Sequence, residues 1–232
     1  MSLYFWILIC SGSIPFLYSF HPKLKFYKYW PSLFTSILLV AIPYLIWDYF
    51  FTENRYWGFN ESYLSGYYIF NLPVEEVLFF VVIPYCCVFT FHSLKHYFPF
   101  LSFSKKITAT LATLLLIASF LIVMRFSHLP YTIINFSSLV FVLILAFIYD
   151  WKLLSVYFWV FPVILIPFFI VNGILTGFGI ENEIVWYSPH VFMGIRILTI
   201  PLEDIFYAFS LVLSNLFLME VLQRKVKMLR CQ

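Results

Sequence analysis

The sequence predicts an all-α integral membrane protein with seven transmembrane helices, arranged as two parallel three-helix repeats joined by a linking helix. The composition, the spacing of apolar runs and an internal repeat lead to this fold class. Of 232 residues, 63% are hydrophobic and 11% are charged, whereas soluble domains carry about 25% charged residues. Charge-poor apolar runs of about 18–20 residues, the length that crosses a bilayer as a helix, recur along the chain.

The apolar runs place the seven helices and divide the chain. The predicted spans are 3–20, 31–51, 72–92, 107–124, 132–149, 154–176 and 198–222. We expect a first three-helix repeat at 1–98, linking helix four at 99–130, and a second three-helix repeat with a basic tail at 131–232. The N-terminus lacks the basic start and small-residue cleavage site of a signal peptide, so we expect the first helix to stay.

The basic residues predict the orientation of the chain. Eleven of the fourteen lysines and arginines fall on one side of the predicted helices: Lys23, Lys25, Lys28, Lys95, Lys105, Lys106, Lys152, Arg224, Lys225, Lys227 and Arg230. Basic loops remain cytoplasmic. We therefore expect a multi-pass plasma-membrane protein with its N-terminus outside and its C-terminus in the cytoplasm. The basic tail is interpreted as a topology signal, no nucleic-acid partner is expected, and the oligomeric state stays open.

The internal repeat brings two acidic helix starts into register. A shift of 128 residues places "LPVEEVLFF" on "IPLEDIF", and with it Pro73 on Pro201, Glu75 on Glu203, and Glu76 on Asp204. An odd helix between two three-helix units makes the units parallel, so both motifs should lie in the outer half of the bilayer and converge. Asp48 ends "IPYLIWD" and is expected beside them. Asn172, which ends "IPFFIVN", corresponds to Asp48 in the second repeat.

The acids in these first turns have two interpretations. One is ordinary capping, because proline suits the first turn and the helix dipole stabilises acids there by about 0.3–1 kcal/mol. The other is a catalytic site, because a cap needs one carboxylate and each helix start carries two. Ionisable groups inside a membrane cost a few kcal/mol or more and usually mark function. Carboxyl groups that share an apolar site can act as proton donors.

Aromatic residues beside the acids indicate what could receive such a proton. Phe79 and Tyr207 lie one turn after Glu75 and Glu203, on the same helix faces. Aromatic rings stabilise cations by about 0.5–2 kcal/mol each, so a protonated acid among rings suits carbocation chemistry on a hydrocarbon. With 23% aromatic residues in the chain, the ring positions alone carry little weight. The candidate substrate-binding residues are Phe79, Tyr207, Trp57 and Asn172.

The sequence carries no recognisable cofactor or metal motif. It has no complete G-x-G-x-x-G or P-loop, no H-E-x-x-H, and no cysteine–histidine cluster. We expect the four cysteines to act as small buried hydrophobes: Cys10, Cys86, Cys87 and Cys231. The expectation is therefore a protein that needs neither a cofactor nor a metal.

The doubled acidic helix starts, the preceding "WDYFFTENRYWGFN" and the three-plus-one-plus-three arrangement resemble the membrane-embedded lycopene cyclases. The chain looks like the single-chain form of this family, which has two short subunits in some bacteria and one fused chain in archaea and fungi, and the resemblance covers nearly the whole chain. It implies an isomerase of the intramolecular lyase type that cyclises the ψ-ends of lycopene to β-ionone rings, giving γ-carotene and β-carotene. The implied substrates are lycopene and other linear carotenoids in the lipid bilayer, with no flavin.

The resemblance also implies roles for the acids. By motif match, Glu75 and Glu203 are the leading catalytic acids, Glu76 and Asp204 are partners that share or orient protons, and Asp48 is a further catalytic candidate. The second repeat departs from the first where Asp204 replaces glutamate and Asn172 replaces aspartate. The two halves are therefore not expected to be equal, and the proton donor stays open between them.

Two other functions also stay open. Parallel helix repeats occur in small-solute transporters, whose site lies between the repeats. Asn172 would suit such a site, but acids near one face fit it less well. The second alternative is a non-catalytic carotenoid-binding membrane subunit. Pigment analysis in cells that accumulate lycopene separates the enzyme from both.

Overall fold

The computed structural model describes residues 2–230, with side chains described up to Lys225. Cys231 and the basic side chains of Lys227 and Arg230 therefore lie outside the description. Six α-helices make up most of the described chain: α1 (Leu3–Tyr18), α2 (Trp30–Glu53), α3 (Val74–Tyr97), α4 (Lys105–Arg125), α5 (Pro130–Leu175) and α6 (Leu202–Arg230). Helices α2 to α6 are long and apolar enough to cross a membrane, and α1 is a shorter apolar helix. The prediction of a mostly helical, membrane-compatible protein is confirmed.

The fifth and sixth predicted helices form one helical run, so six helices are found where seven were predicted. In α5 the backbone leaves the helical conformation at Asp150, where φ is −153° and ψ is 70°. Tyr131 at its beginning and Asn172 near its end both donate hydrogen bonds to the Asp204 carboxylate. A straight helix would hold those two residues about 60 Å apart. Helix α5 therefore folds back at Asp150, where the Arg224 guanidinium pairs with the Asp150 carboxylate.

Six short strands, which the sequence did not predict, lie in the segments before α3 and α6. They are β1 (Trp57–Phe59), β2 (Tyr68–Ile69), β3 (Leu72–Pro73), β4 (Val185–Tyr187), β5 (Arg196–Ile197) and β6 (Ile200–Pro201). Strands β1 and β4 pair antiparallel, with Gly58 opposite Trp186. This two-stranded unit, called the β1–β4 ribbon below, joins the segment before α3 to the segment before α6. Both segments are thereby fixed over the same end of the bundle.

Two tight hairpins lead into the acidic helix starts. Strands β2 and β3 pair immediately before α3, and β5 and β6 pair immediately before α6. Phe70 and Leu198 follow the first strand of each hairpin, and both have a φ of 56°. Gly66 and Gly194, with φ of 83° and 76°, stand before the hairpins in the left-handed region that glycine adopts without a Cβ clash. The two helix starts therefore share the same local backbone geometry.

The core lies between the two arms of α5, α6 and α3. Leu143 and Leu154, one on each arm of α5, are fully buried, as are Val88 of α3 and Leu213 of α6. Helix α4 packs on α5 and leaves an apolar stripe on its other side, with Leu114, Ile117 and Leu121 exposed. Exposed apolar stripes on long helices are what lipid contact requires.

Candidate active site

A cavity of about 380 Å³ lies among α1, α3, α6 and the second arm of α5. Its acidic end, defined here as the end beside the first turns of α3 and α6, is covered by the β1–β4 ribbon. Four ribbon side chains line it there: Trp57, Phe59, Val185 and Tyr187. The ribbon thus forms part of the cavity wall at the acidic end.

Three carboxyl groups line this cavity, one from each of three helices. Asp48 comes from α2, Glu76 from α3 and Asp204 from α6. Their relative exposures are 2%, 9% and 3%. The structure therefore brings the second acid of each motif together with Asp48 at one end of an apolar cavity.

Asp204 is held by three hydrogen-bond donors. Tyr131 donates to Oδ1 at 2.6 Å, and Tyr187 donates to Oδ2 at 3.0 Å. Asn172 Nδ2 also donates to Oδ2, at 3.3 Å. Burial and the nearby Asp204 carboxylate raise the pKa of Tyr187 well above its usual value, so this phenol remains a donor at neutral pH.

Glu76 and Asp48 each accept one hydrogen bond from an aromatic side chain. The Tyr4 hydroxyl donates to Glu76 Oε2 at 2.6 Å, and Trp57 Nε1 donates to Asp48 Oδ1 at 2.6 Å. The second oxygen of Asp48 is buried and has no hydrogen-bond partner among the described residues. These two acids therefore have fewer donors around them than Asp204 has.

Glu75 does not line the cavity, although it is fully buried and adjoins Glu76 in the chain. Its Oε1 accepts hydrogen bonds from the Ser2 hydroxyl at 2.6 Å and from the backbone N–H of Ser65 at 2.7 Å. This carboxyl group ties the start of α1 and the segment before β2 to the start of α3.

Glu203 is placed in the same way in the second half of the chain. It is fully buried and absent from the cavity wall. Its Oε1 accepts from the Thr132 hydroxyl at 2.7 Å and from the backbone N–H of Met193 at 2.8 Å. The expected convergence of the acidic motifs on one cavity is thus seen for Glu76 and Asp204, and not for Glu75 and Glu203.

All four predicted substrate-binding residues line the cavity: Phe79, Tyr207, Trp57 and Asn172. Sequence reasoning missed the three tyrosines that bind the acids: Tyr4, Tyr131 and Tyr187. Tyr4 and Tyr131 stand in the first turns of α1 and α5. A tyrosine in the first turn of an otherwise apolar helix is the sequence feature that could have indicated Tyr4 and Tyr131 as hydrogen-bond donors to the acids.

The cavity is long, and some of the residues that line it are also exposed on the protein surface. Along α3 its wall extends from Glu76 to Thr90, which is about 21 Å of helix. Cys10 and Ile14 of α1 line it and are also exposed on the protein surface, so the expectation that Cys10 is buried is wrong. Across from them, the second arm of α5 contributes Pro167, which is exposed, and Phe168. Residues of α1 and of this arm thus line the cavity and are also exposed on the outer face of the bundle, which indicates a side opening there.

No basic side chain neutralises the three acids within salt-bridge distance in the part of the chain whose side chains are described, where both ion pairs belong to Arg224. The Arg196 guanidinium instead lies over the rings of Tyr187 and Phe192, 5.8 and 4.9 Å from their centroids. Among the described residues, no group of three histidine, cysteine or acidic side chains is arranged to hold a metal ion. The arrangement can hold a long apolar molecule with one end against uncompensated carboxyl groups.

Comparisons with known proteins point to one family. A family model described as lycopene cyclase matches residues 1–94 and 128–222. The chain is also 36% identical, over 63 residues, to a bifunctional lycopene cyclase/phytoene synthase of Leptosphaeria maculans. That segment covers 27% of this chain and 10% of the fungal protein, so the match spans a small part of the relative. No solved structure matches the chain.

Proposed function

This chain belongs to the lycopene cyclase family, and from that membership and its buried acids we propose that it cyclises the ends of lycopene by acid catalysis. The products would be β-ionone rings, first in γ-carotene and then in β-carotene, formed without net oxidation or reduction. The observation that carries the proposal is the long apolar cavity with Asp48, Glu76 and Asp204 at one end. A hydrocarbon end placed there meets carboxyl groups whose polar neighbours, the phenols, the indole and the amide, donate their hydrogen bonds to those acids.

The chemistry follows from the state of three acids in apolar surroundings. Carboxylates that lie close together away from water do not all carry charge, so at least one of them holds a proton. That proton adds to the terminal double bond of the substrate and leaves a tertiary cation. The next double bond attacks the cation and closes the ring, and loss of a different proton sets the ring double bond. One proton enters and one leaves, so the product is an isomer of the substrate.

The aromatic wall around the acids suits a cationic intermediate. Tyr207 lines the cavity, and its ring centroid lies 5.1 Å from that of Trp47 and 5.2 Å from that of Tyr44. Phe79 and Trp57 line the same end. Ring faces stabilise a nearby cation, and the stabilisation is larger where water is excluded. The β1–β4 ribbon over the acidic end would keep out water, which would otherwise trap the cation as an alcohol.

The side opening supports entry of the substrate from the membrane. A C40 hydrocarbon is about as long as the roughly 30 Å apolar core of a bilayer, and it is far more soluble there than in water. We propose that it passes between α1 and the second arm of α5, beside Cys10 and Ile14. The cavity reaches about 21 Å along α3, so the far end of the substrate would stay in the opening. Each end would then be cyclised in a separate visit.

We further propose that the chain consists of two repeats, 1–98 and 131–232, joined by helix four and related by an axis through the β1–β4 ribbon. Supporting this, the strands of the ribbon are 128 residues apart and pair symmetrically about Gly58 and Trp186. In this arrangement both acidic motifs lie on the outer side of a plasma membrane, with the N-terminus outside and the basic C-terminus in the cytoplasm. The surplus of lysine and arginine at the opposite ends of the helices supports this orientation.

Glu75 and Glu203 would act as positioning residues, and the acids in the cavity would exchange protons with the substrate. Each of the two glutamates holds a hairpin segment against a helix start through a hydroxyl and a backbone N–H. A group outside the cavity wall has no path to the substrate double bond. We therefore assign the proton transfers to Asp48, Glu76 and Asp204.

The test is expression of the chain in cells that accumulate lycopene, followed by chromatography of the pigments. Monocyclic and bicyclic products are expected from the parent, and none from Glu76→Gln at equal protein level. In membranes prepared in D₂O, each new ring should carry one deuterium, because its added proton comes from an exchangeable carboxyl group. Unchanged lycopene in cells that contain the folded protein would refute the activity, and lycopene that co-purifies unchanged would indicate a binding subunit.

A further inference from the structure

The hydrogen bonds around the three cavity acids differ in a way that separates their tasks. We propose that Asp204 is the carboxylate that faces the carbocation and accepts the departing proton, whereas Asp48 and Glu76 share the proton that is delivered. This inference rests on the proposed cyclisation and assigns opposite roles to two acids that occupy matching positions in the two motifs.

Asp204 is surrounded by donors that favour its charged form. Two phenols and one amide N–H point at its two oxygens, at 2.6, 3.0 and 3.3 Å. Hydrogen bonds that are donated to a carboxylate stabilise the charge and oppose protonation. The amide nitrogen of Asn172 has no lone pair with which to accept a hydrogen bond from a protonated acid. The raised pKa of Tyr187 keeps that phenol in its donor form as well.

Asp48 and Glu76 have the opposite balance. Each accepts one bond from an aromatic donor, at Oδ1 of Asp48 and Oε2 of Glu76. Asp48 Oδ2 is buried without a partner among the described residues, and a bare carboxylate oxygen in that position is costly. A proton on this pair lowers the cost, because it removes one of the two negative charges. The two acids lie at the same end of the cavity, so the proton held there is within the space that the substrate end occupies.

Two sequence differences between the halves account for the asymmetry. Asn172 stands where the first half has Asp48, and Tyr187, a second donor to Asp204, stands where the first half has Phe59. Asp48 and Asn172 end the matching segments "IPYLIWD" and "IPFFIVN". In the first half a carboxyl group therefore shares the cavity with Glu76, and in the second half an amide donor binds Asp204. These two exchanges convert a proton-sharing pair into a stabilised carboxylate.

The proposed cycle balances without a further reactant. The O–H bond of the Asp48–Glu76 pair breaks as a C–H bond forms at the inner (=CH–) carbon of the terminal double bond, which leaves the tertiary cation on the dimethyl carbon. Ring closure forms one C–C bond and moves the cation to a ring carbon. Asp204 then removes a proton from the neighbouring ring carbon, and the electrons of that C–H bond form the ring double bond. Return of this proton to the pair restores the starting state.

The test uses a tertiary amine with a long apolar tail, which is protonated at neutral pH and mimics the tertiary cation. The inhibition constant of the amine is measured for the reconstituted parent protein, and the binding of the amine is measured for the variants. Binding of an uncharged hydrocarbon of the same shape is measured as the control. Asp204→Asn should weaken amine binding roughly 10- to 100-fold, because one facing charge is lost. Glu76→Gln should change amine binding by less than about threefold, although its turnover falls about 10²- to 10⁴-fold, because the pair with its one shared proton carries a single negative charge, which Asp48 keeps after the replacement.

The uncharged hydrocarbon reports whether the cavity is intact and should bind all variants equally. If Asp204→Asn loses hydrocarbon binding, the variant Tyr187→Phe is tested in its place. This variant lacks one hydrogen-bond donor to the Asp204 carboxylate, and its amine binding should be weaker by roughly 3- to 10-fold. Equal loss of amine binding in Glu76→Gln and Asp204→Asn would overturn the division of roles. A parent that makes no cyclic product would instead refute the proposed function. If the parent cyclises lycopene but the parent and Asp204→Asn bind the amine equally well, this inference is refuted while the proposed function stands.

Discussion

Replacing Glu75 or Glu76 of the first motif by glutamine should show which of these two adjacent acids delivers the proton. Glu75 and Glu76 are adjacent, of the same residue type and both buried, yet only Glu76 lines the cavity. Glutamine keeps the shape of glutamate and one acceptor oxygen while removing the acidic proton. Each variant is therefore a matched control for the other.

The expected effects differ by orders of magnitude in rate. Loss of a positioned general acid costs about 10²- to 10⁴-fold in turnover, which corresponds to roughly 3–5 kcal/mol of activation free energy. In Glu75→Gln the carbonyl oxygen can still accept from Ser2 and from the N–H of Ser65. The new amide N–H₂ would take the place of Oε2, which is buried without a partner among the described residues. That change should lower the free energy of unfolding by about 1–3 kcal/mol and leave turnover per folded molecule within about threefold.

The assay measures the initial rate of ring formation in lipid vesicles loaded with lycopene, normalised to folded protein. Folded protein is quantified by monodisperse elution in detergent, and thermal stability is recorded for each variant. The same comparison applies to Glu203→Gln and Asp204→Asn in the second motif. If Glu75→Gln lost as much rate as Glu76→Gln at equal folded protein, the assignment by cavity position would be wrong. Parent-level turnover in Glu76→Gln would refute it equally.

Three further outcomes are expected. Ile14→Trp should narrow the side opening and slow cyclisation in vesicles several-fold. Leu17 is exposed on the same helix but lies outside the cavity wall, so Leu17→Trp should leave the rate unchanged. Equal rates in the two variants would place the entrance elsewhere. Gly58→Ala should destabilise the protein by about 1–3 kcal/mol, because its Cβ would lie 2.4 Å from the Trp186 ring; the melting temperature measures this, and Trp186→Ala should restore part of it. A cysteine tag added at the C-terminus should not be labelled by a membrane-impermeant thiol reagent in intact cells. Labelling of the tag would show that the C-terminus is outside and would refute the proposed orientation.

The helices could be predicted because each long apolar run has one solution in a bilayer. The fold-back of α5 was predicted as a loop between two helices, but at Asp150 the hydrogen-bonded run continues through a single non-helical residue. Composition carries no signal for that geometry. The β1–β4 ribbon was missed because its strands are three residues long and pair across more than half the chain. Such strands are formed by tertiary context and not by local propensity.

The choice between the adjacent acids was also beyond the sequence. Phe79 lies four residues after Glu75 and three after Glu76, and both spacings share a helix face. Periodicity therefore selects the region and cannot select the residue. The deciding contacts are long-range ones, such as the hydroxyl of Ser2 on Glu75 and that of Tyr4 on Glu76. The corresponding contacts of the two motifs are alike in the structure, with Ser2 and Thr132 donating to the first acid and Tyr4 and Tyr131 donating to the second.

The contacts between α5 and the start of α6 bear on the order in which the protein is assembled. Thr132 is fully buried and donates to Glu203, and Asn135 is fully buried and donates to the backbone oxygen of the same residue. Their partners are synthesised some 70 residues later. Among the described residues before α6, the Thr132 hydroxyl and the Asn135 amide nitrogen have no hydrogen-bond partner, and hydrocarbon offers none. Insertion of the last helix would therefore be the step that locks the bundle. A chain interrupted before residue 202 should remain a loosely associated set of spans, open to membrane proteases, even though every earlier helix is present.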